Sequence, residues 1–222
     1  MTAQTVTPRG SSGAPWAGPA VAYFAKAPRP GSVKTRLCPP LTTEEAAAIY
    51  GAFLCRIVVP VPGARTHVFG WPEDELTMIE AHLAPEVRSG GLVLRPQRGD
   101  DLWGRMRSCF DELFAAGHAP VVIRNTDSPE VGVETVREAI DRAAPGRVVL
   151  GPDFGGGYYL VALCAPCPEL FAPVEGGAAA VFTATRERAR RLGLEVVELV
   201  PRPDVDTYAD LLAMWARRVD QG

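Results

Sequence analysis

Short apolar runs alternate with longer stretches of helical periodicity from residue 20 to the C-terminus, and this alternation restricts the chain to few folds. Strands are expected at 20–25 (AVAYFA), 66–71 (THVFGW), 91–96 (GLVLRP) and 120–127 (PVVIRNTD). Between the first two, TTEEAAAIYGAFLCRIV offers a capping box at Thr42 and Glu45, then Ala46, Ile49, Tyr50, Phe53 and Ile57 at helical spacing. A short helix carries Leu76, Ile79 and Leu83; a longer one carries Leu102, Met106, Phe110 and Leu113; a third spans 132–143 through Val136 and Ile140. RVVLG and YYLVAL are two further strands around a glycine run. The chain ends in a helix (Val181, Thr185, Ala189, Leu192), a strand (LEVVELV) and a helix with Leu211, Leu212, Trp215 and Val219 as its apolar face. Repeated β-then-α units predict an α/β fold with a mostly parallel sheet and helices on both faces.

A length of 222 residues is enough for one sizeable core, and a single domain is expected over 19–222. Residues 1–18 are rich in Ser, Thr, Gly and Pro, lack the basic start and apolar core of a signal peptide, and read as a disordered tail. A net charge of −3 offers no basic field for nucleic acid or an anionic membrane, and no apolar run is long enough to span a bilayer. A cytoplasmic protein is the natural expectation. The five cysteines lack disulfide-framework spacing; Cys164 and Cys167 form a C-x-x-C without the surrounding redox domain such a motif needs.

In a parallel sheet, ligands gather where strand ends meet helix N-termini. The first such loop, KAPRPGSVKTR, holds the chain's only two lysines, Lys26 and Lys34, among 23 basic residues. It is not a phosphate-cradling Walker loop, and Pro28 and Pro30 have no N–H to donate. Side-chain cations must therefore neutralise a ligand, with Gly31 letting the chain turn close to it. A compact ammonium sits among phosphate oxygens without imposing planar geometry, so the loop reads as a di- or triphosphate pocket.

Two later strand ends carry carboxylates: Asp127 in NTDSPEV, and Asp204 and Asp206 in RPDVDTYADL. Each is open to two readings, as a helix cap or as a ligand holding Mg²⁺ or Mn²⁺ against a diphosphate. The run Gly155-Gly156-Gly157 admits either close approach of a flat ligand or a simple hairpin turn. Asp101 and Arg105, one turn apart at a helix start, bind ribose or phosphate or form a surface pair.

Together FAKAPRPGSVKTRL, GDDLWGRM, TDSP, GGYYL and DVDT, in this order, resemble the DUF2064 family of small GT-A-fold (nucleotide-diphospho-sugar transferase) proteins. That family is labelled by analogy as glycosyltransferases, with an arsenosugar-biosynthesis branch, and is similar to nucleotidyltransferases such as 2-phospho-lactate guanylyltransferases. The resemblance implies phosphate binding by Lys26, Lys34 and Arg36, metal or sugar-nucleotide contacts by Asp127 and Asp206, and nucleotide contacts by Asp101 and Arg105. It departs at Gly155, where the family has the acid of D-G-G-Y, and at residues 175–178, where the family carries P-W-S/T. Asp153, two residues before Gly155, is the carboxylate nearest in sequence to replace the missing acid.

The expected activity is glycosyl transfer from a nucleotide sugar to a small acceptor. The expected site comprises Lys34, Arg36, Asp127 and Asp153 at the chemistry, with Lys26, Gly31, Asp101, Arg105, Gly156 and Gly157 around the nucleotide. Nucleotidyl transfer from an NTP to a phosphorylated small molecule is the alternative. A non-catalytic nucleotide- or sugar-binding protein is the reading from a different class.

Overall fold

The computed structural model describes residues 17–89 and 91–219, the Arg218 side chain excepted. Its strands are β1 (Gly18–Lys26), β2 (Arg65–Trp71), β3 (Val93–Pro96), β4 (His118–Arg124), β5 (Arg147–Pro152), β6 (Tyr158–Leu163) and β7 (Glu195–Glu198). They form one sheet in the order β3-β2-β1-β4-β6-β5-β7. All pairings are parallel except the two made by β6, which runs against β4 and β5. The reversal follows from the short connection at 153–157: a tight turn joins antiparallel strands, whereas a parallel return needs a crossover of a dozen or more residues. Residues 1–16 of the expected tail lie outside the described residues; β1 begins at Gly18.

The helices are α1 (Thr43–Ile57), α2 (Leu76–Ala81), α3 (Pro85–Ser89), α4 (Leu102–Ala115), α5 (Val133–Arg142), α6 (Val181–Arg191) and α7 (Tyr208–Val219). Alternate strand residues feed two cores, one on each face of the sheet. Val21, Tyr23 and Ala25 of β1 join Phe53 and Leu54 of α1, Val136 of α5 and Leu211 of α7. Ala20 and Ala22 turn the other way, toward Phe110 and Leu113 of α4 and Ala189 of α6. Each fully buried Leu or Phe contributes about 2 kcal/mol of hydrophobic stabilisation, and the capping box expected at Thr42 and Glu45 fixes the start of α1.

Three apolar stripes differ from expectation. On α7 the buried residues are Leu211 and Met214, while Leu212, Trp215 and Val219 are exposed. Leu102 and Leu192 are also exposed. Leu102 lies in the first turn of α4 beside a cleft, and Leu192 caps the end of α6, so neither has a core to face.

A candidate nucleotide site at the strand ends

The loop after β1 enters a short 3₁₀ turn at Thr35 through Lys34, whose backbone is left-handed at φ 49°. An L side chain in that region costs energy and persists only where its surroundings enforce it. The enforcement is ionic. Lys34 Nζ lies 2.5 Å from Asp127 Oδ1 and 3.1 Å from Asp206 Oδ1, and its side chain is only 4% exposed. Burial works to lower the Lys34 pKa, but Asp127 and Asp206 outweigh it and raise the pKa above its ordinary value.

Neither acid caps a helix. Thr207 and Asp210 form a reciprocal cap at the start of α7, with Thr207 N donating to Asp210 Oδ2 at 2.7 Å and Asp210 N to Thr207 Oγ1 at 3.3 Å. Asp206 is thereby left to face Lys34. The position before α5 is Gly132, with no side-chain cap, and Asp127 turns to the ammonium instead. A backbone bond from Val205 N to Asp127 O, 2.9 Å, ties the two loops together.

Both acids line a cleft of about 570 Å³ at the ends of β1, β4 and β6, together with Arg36, Trp103, Asn125, Asp153, Tyr158 and Asp204. Arg36 is 70% exposed and only 3.5 Å from Asp206, so its guanidinium remains open to a ligand. Beneath the cleft the Tyr50 hydroxyl shares a 2.7 Å hydrogen bond with Thr126 Oγ1 and receives Lys26 N–H at 3.0 Å, stitching the first loop to β4.

Asp204 joins the acids as a residue that sequence reasoning noticed but did not place in the site. Burial, then Asp206 and Asp153, push its pKa up to about 6. The available signal was its spacing: Asp204 and Asp206 are two apart on extended chain and share a face.

The glycine run is a hairpin turn held from inside. Asp153 Oδ1 accepts Gly157 N–H at 2.7 Å, and Asp153 N donates to Gly157 O at 3.1 Å. Gly156 has φ 92°, and a side chain there would collide with the backbone of Ala179. The close approach that the glycines allow is made by the chain's own 178–180 turn. That turn puts Ala178 and Ala179 at the cleft wall.

Other expected residues sit apart. Asp101 caps α4, accepting Gly104 N–H at 2.6 Å, and Arg105 stacks on Trp71 at 4.8 Å instead of pairing with Asp101. Neither lines the cleft. Gly31 turns at φ 76° with open space around it. Lys26 is exposed in a smaller hollow with Arg29, Trp71 and Glu75, whereas Lys34 is buried against Asp127 and Asp206, so the two lysines that are close in sequence are used apart. Burial raises both Cys164 and Cys167 pKa values, which opposes thiolate redox chemistry there.

Mg²⁺ or Mn²⁺ would find two hard oxygen donors in Asp127 and Asp206, held within reach of one ammonium. Among the described residues no group of three His, Cys, Asp or Glu is arranged to cage an ion. Two carboxylates still fit a metal completed by phosphate oxygens and water. Among the described residues, no helix is long and apolar enough to cross a membrane.

The family model described as "Uncharacterized protein conserved in bacteria (DUF2064)" matches residues 58–178, more than half of the chain. The crystal structure of a provisionally assigned nucleotide-diphospho-sugar transferase from Desulfovibrio desulfuricans G20 is 31% identical, with a TM-score of 0.80 over 90% of this chain and 87% of that one. A cytidylyltransferase from Leptospira borgpetersenii serovar Hardjo-bovis shares the fold at 12% identity and a TM-score of 0.56, covering 88% and 84% of the two chains. A nucleotidyl transferase from Methanothermobacter thermautotrophicus does so at 17% identity and 0.52, covering 91% and 99%. No curated protein matches the sequence.

Proposed function

The chain belongs to the DUF2064 family, and we propose that it is a nucleotide-dependent transferase that moves a sugar from a nucleotide-diphospho-sugar to a small acceptor. The observation that carries this reading is the convergence of Lys34, Arg36, Asp127 and Asp206 at one end of a cleft formed at the strand ends. Likeness to the Desulfovibrio protein supports the donor class.

Lys34 clamps the two carboxylates from below, and Arg36 meets the diphosphate from the open side, offsetting charge that grows as it leaves. A divalent ion on Asp127 and Asp206 would supply further neutralisation of that diphosphate. In the transfer, an acceptor oxygen bonds to the anomeric carbon, the bond to the diphosphate oxygen breaks, and the acceptor proton passes to a carboxylate. Asp153 and Asp204 both line the cleft, and in this reading one of them receives the proton.

Nucleotidyl transfer is the second reading, favoured by the exposed Arg36 standing beside the acids that Lys34 holds, an arrangement that suits a triphosphate as well as a diphosphate. A thermal-shift panel of NTPs and nucleotide sugars, with and without Mn²⁺, separates the readings. Metal-dependent stabilisation by a nucleotide sugar, followed by its turnover, supports glycosyl transfer; preference for an NTP supports the second; metal-independent binding without turnover overturns both.

A further inference from the structure

A second cavity, of about 870 Å³, lies behind the donor cleft and is lined by Arg56, Arg124, Arg202 and Arg217, with Phe154 and Glu130. The two hollows share one wall. On the segment after β5, Asp153 lines the first and Phe154 the second; on the segment before α7, Asp204 lines the first and Arg202 the second. A bridge between Asp153 and Arg202, with Arg202 N donating to Pro152 O at 3.1 Å, holds these segments side by side.

We propose that this second cavity binds a small oxyanion-bearing molecule, one with phosphate or carboxylate groups. Its charge is the first argument. Among the described residues Glu130 is the only acid in the lining, and it is already engaged by Arg217 in a two-pronged pair at 2.7–3.1 Å. Arg56 and Arg202 are exposed and have no ion pair among the described residues. Two guanidinium forks therefore face one hollow with no counter-charge among the described residues, an arrangement suited to planar or tetrahedral oxyanions.

The floor supplies the second argument. Arg124 is 1% exposed, donates its terminal nitrogens to the carbonyls of Ile57, Ser128 and Val131, and keeps Nε without an acceptor among the described residues. A charge buried this deeply is costly unless compensated, and the carbonyl dipoles and the Tyr23 ring, 5.6 Å away, supply no full counter-charge. The ten-residue helix α5 opens onto the same cavity at Gly132 and Val133, with no side-chain cap on its first N–H groups. Phe154, 69% exposed on a glycine-rich turn, provides an apolar rim that has no core to pack against.

The inference does not depend on the transferase reading, and its test is separate. Inorganic phosphate and citrate are titrated into the full chain by calorimetry, with Phe154→Trp as a fluorescent reporter at the rim. Saturable binding is expected, falling with salt, and weakened tenfold or more by the pair Arg56→Ala and Arg202→Ala. Binding of phosphate alone would identify a phosphate ester as the natural ligand, and binding of both any oxyanion of suitable size. The pair Arg190→Ala and Arg191→Ala, on α6, should leave binding unchanged. Lys34→Ala should also leave it unchanged while nucleotide binding to the first cleft falls, which keeps failure at one site distinct from failure at the other. Absence of saturable binding, or equal losses in the α6 control, would overturn the proposal.

Discussion

Lys34 and Asp127 meet at 2.5 Å with opposite exposures: the lysine side chain is 4% exposed, the aspartate 40%. The ammonium supports the carboxylates from beneath, and their outer edges remain open to the cleft. A ligand therefore meets acids whose charge and spacing have been set from below by one residue held in a left-handed conformation.

Charge and backbone can be separated at that residue. Lys34→Ala should destabilise the fold by about 1–3 kcal/mol by leaving two acids unbalanced. Lys34→Gly should be about 1 kcal/mol more stable than the alanine variant because φ 49° costs glycine nothing. Both should lose nucleotide binding alike, and Lys34→Arg should recover it only in part. Denaturant melts with nucleotide titrations check this, and normal binding by the alanine variant would remove Lys34 from the site. The raised Lys34 pKa adds a sign: its stabilisation is present below pH 10.5 and is lost as pH rises through the higher folded-state value.

Asp127→Asn and Asp206→Asn should each weaken Mn²⁺-dependent nucleotide binding by about tenfold or more, while metal-free nucleoside binding holds. Because both acids share Lys34, the double variant should lose less than the sum of the singles. Calorimetry with and without Mn²⁺ measures both effects; additive losses would show two independent sites.

Much of this site was legible because strand ends and polar loops coincide. The β-then-α order assigns Asp127 and Asp206 to strand ends at one edge of the sheet, but β4 and β7 are separated there by β6 and β5. What brings the acids together is the segment before α7, tied by Val205 N to Asp127 O. Whether they capped helices could not be read, since that depended on Thr207 and Asp210 taking the cap of α7. Local chemistry also misdirects. Asp101 and Arg105 have binding-site spacing, yet the first is used by its own helix and the second by Trp71. The exposed face of α7 was misread because Leu212, Trp215 and Val219 keep helical spacing as well as Leu211 and Met214 do, and periodicity does not say which stripe meets a sheet.

Two titrating groups should oppose each other in acid. Asp204 has its folded pKa raised to about 6, so its contribution is fully present below about 3.8 and is lost as pH rises through 6. His67 is 2% exposed, neither ring nitrogen has a hydrogen-bond partner among the described residues, and burial lowers its pKa to about 4. Its contribution is present above about 6.5 and is lost as pH falls through 4. Asp204→Asn should therefore gain about 1 kcal/mol near pH 7 and nothing near pH 3, a figure reduced for solvent screening. His67→Phe should flatten the loss of stability below pH 6, which amounts to about 2–3 kcal/mol. Denaturant melts across pH 3–8 test both, and parallel curves for wild type and variant would exclude the group concerned.

Gly156 tests the turn. At φ 92°, with the Ala179 backbone in the way of any Cβ, Gly156→Ala should cost about 3 kcal/mol or prevent folding. Gly31→Ala has the same sign of φ but open space, and should cost only about 1 kcal/mol. Equal costs at both positions would show that the 178–180 turn does not pack against Gly156 as described.

Gly155 stands where the resemblance implies an acid, and substitution there tests whether another carboxylate serves instead. A Cβ there would sit 3.4 Å from Asp153 Oδ1 and 3.5 Å from Asp204 Oδ2, with no steric block. Gly155→Asp should therefore fold, but three neighbouring carboxylates repel, so apo stability near pH 7 should fall by about 1 kcal/mol. Mn²⁺ should restore more stability to this variant than to wild type, because a third oxygen donor strengthens binding to the folded state. Asp153 requires a gentler change than removal, since its Oδ1 also holds Gly157 N–H in the turn. Asp153→Asn keeps that acceptor and deletes the charge, whereas Asp153→Ala deletes both. If Asp153 takes the acceptor's proton, Asp153→Asn loses turnover at unchanged nucleotide affinity, and Gly155→Asp leaves turnover equal or higher. If wild type is inert toward every donor and Gly155→Asp gains activity, Asp153 holds only the turn, and the chain is a binding protein built on a transferase fold.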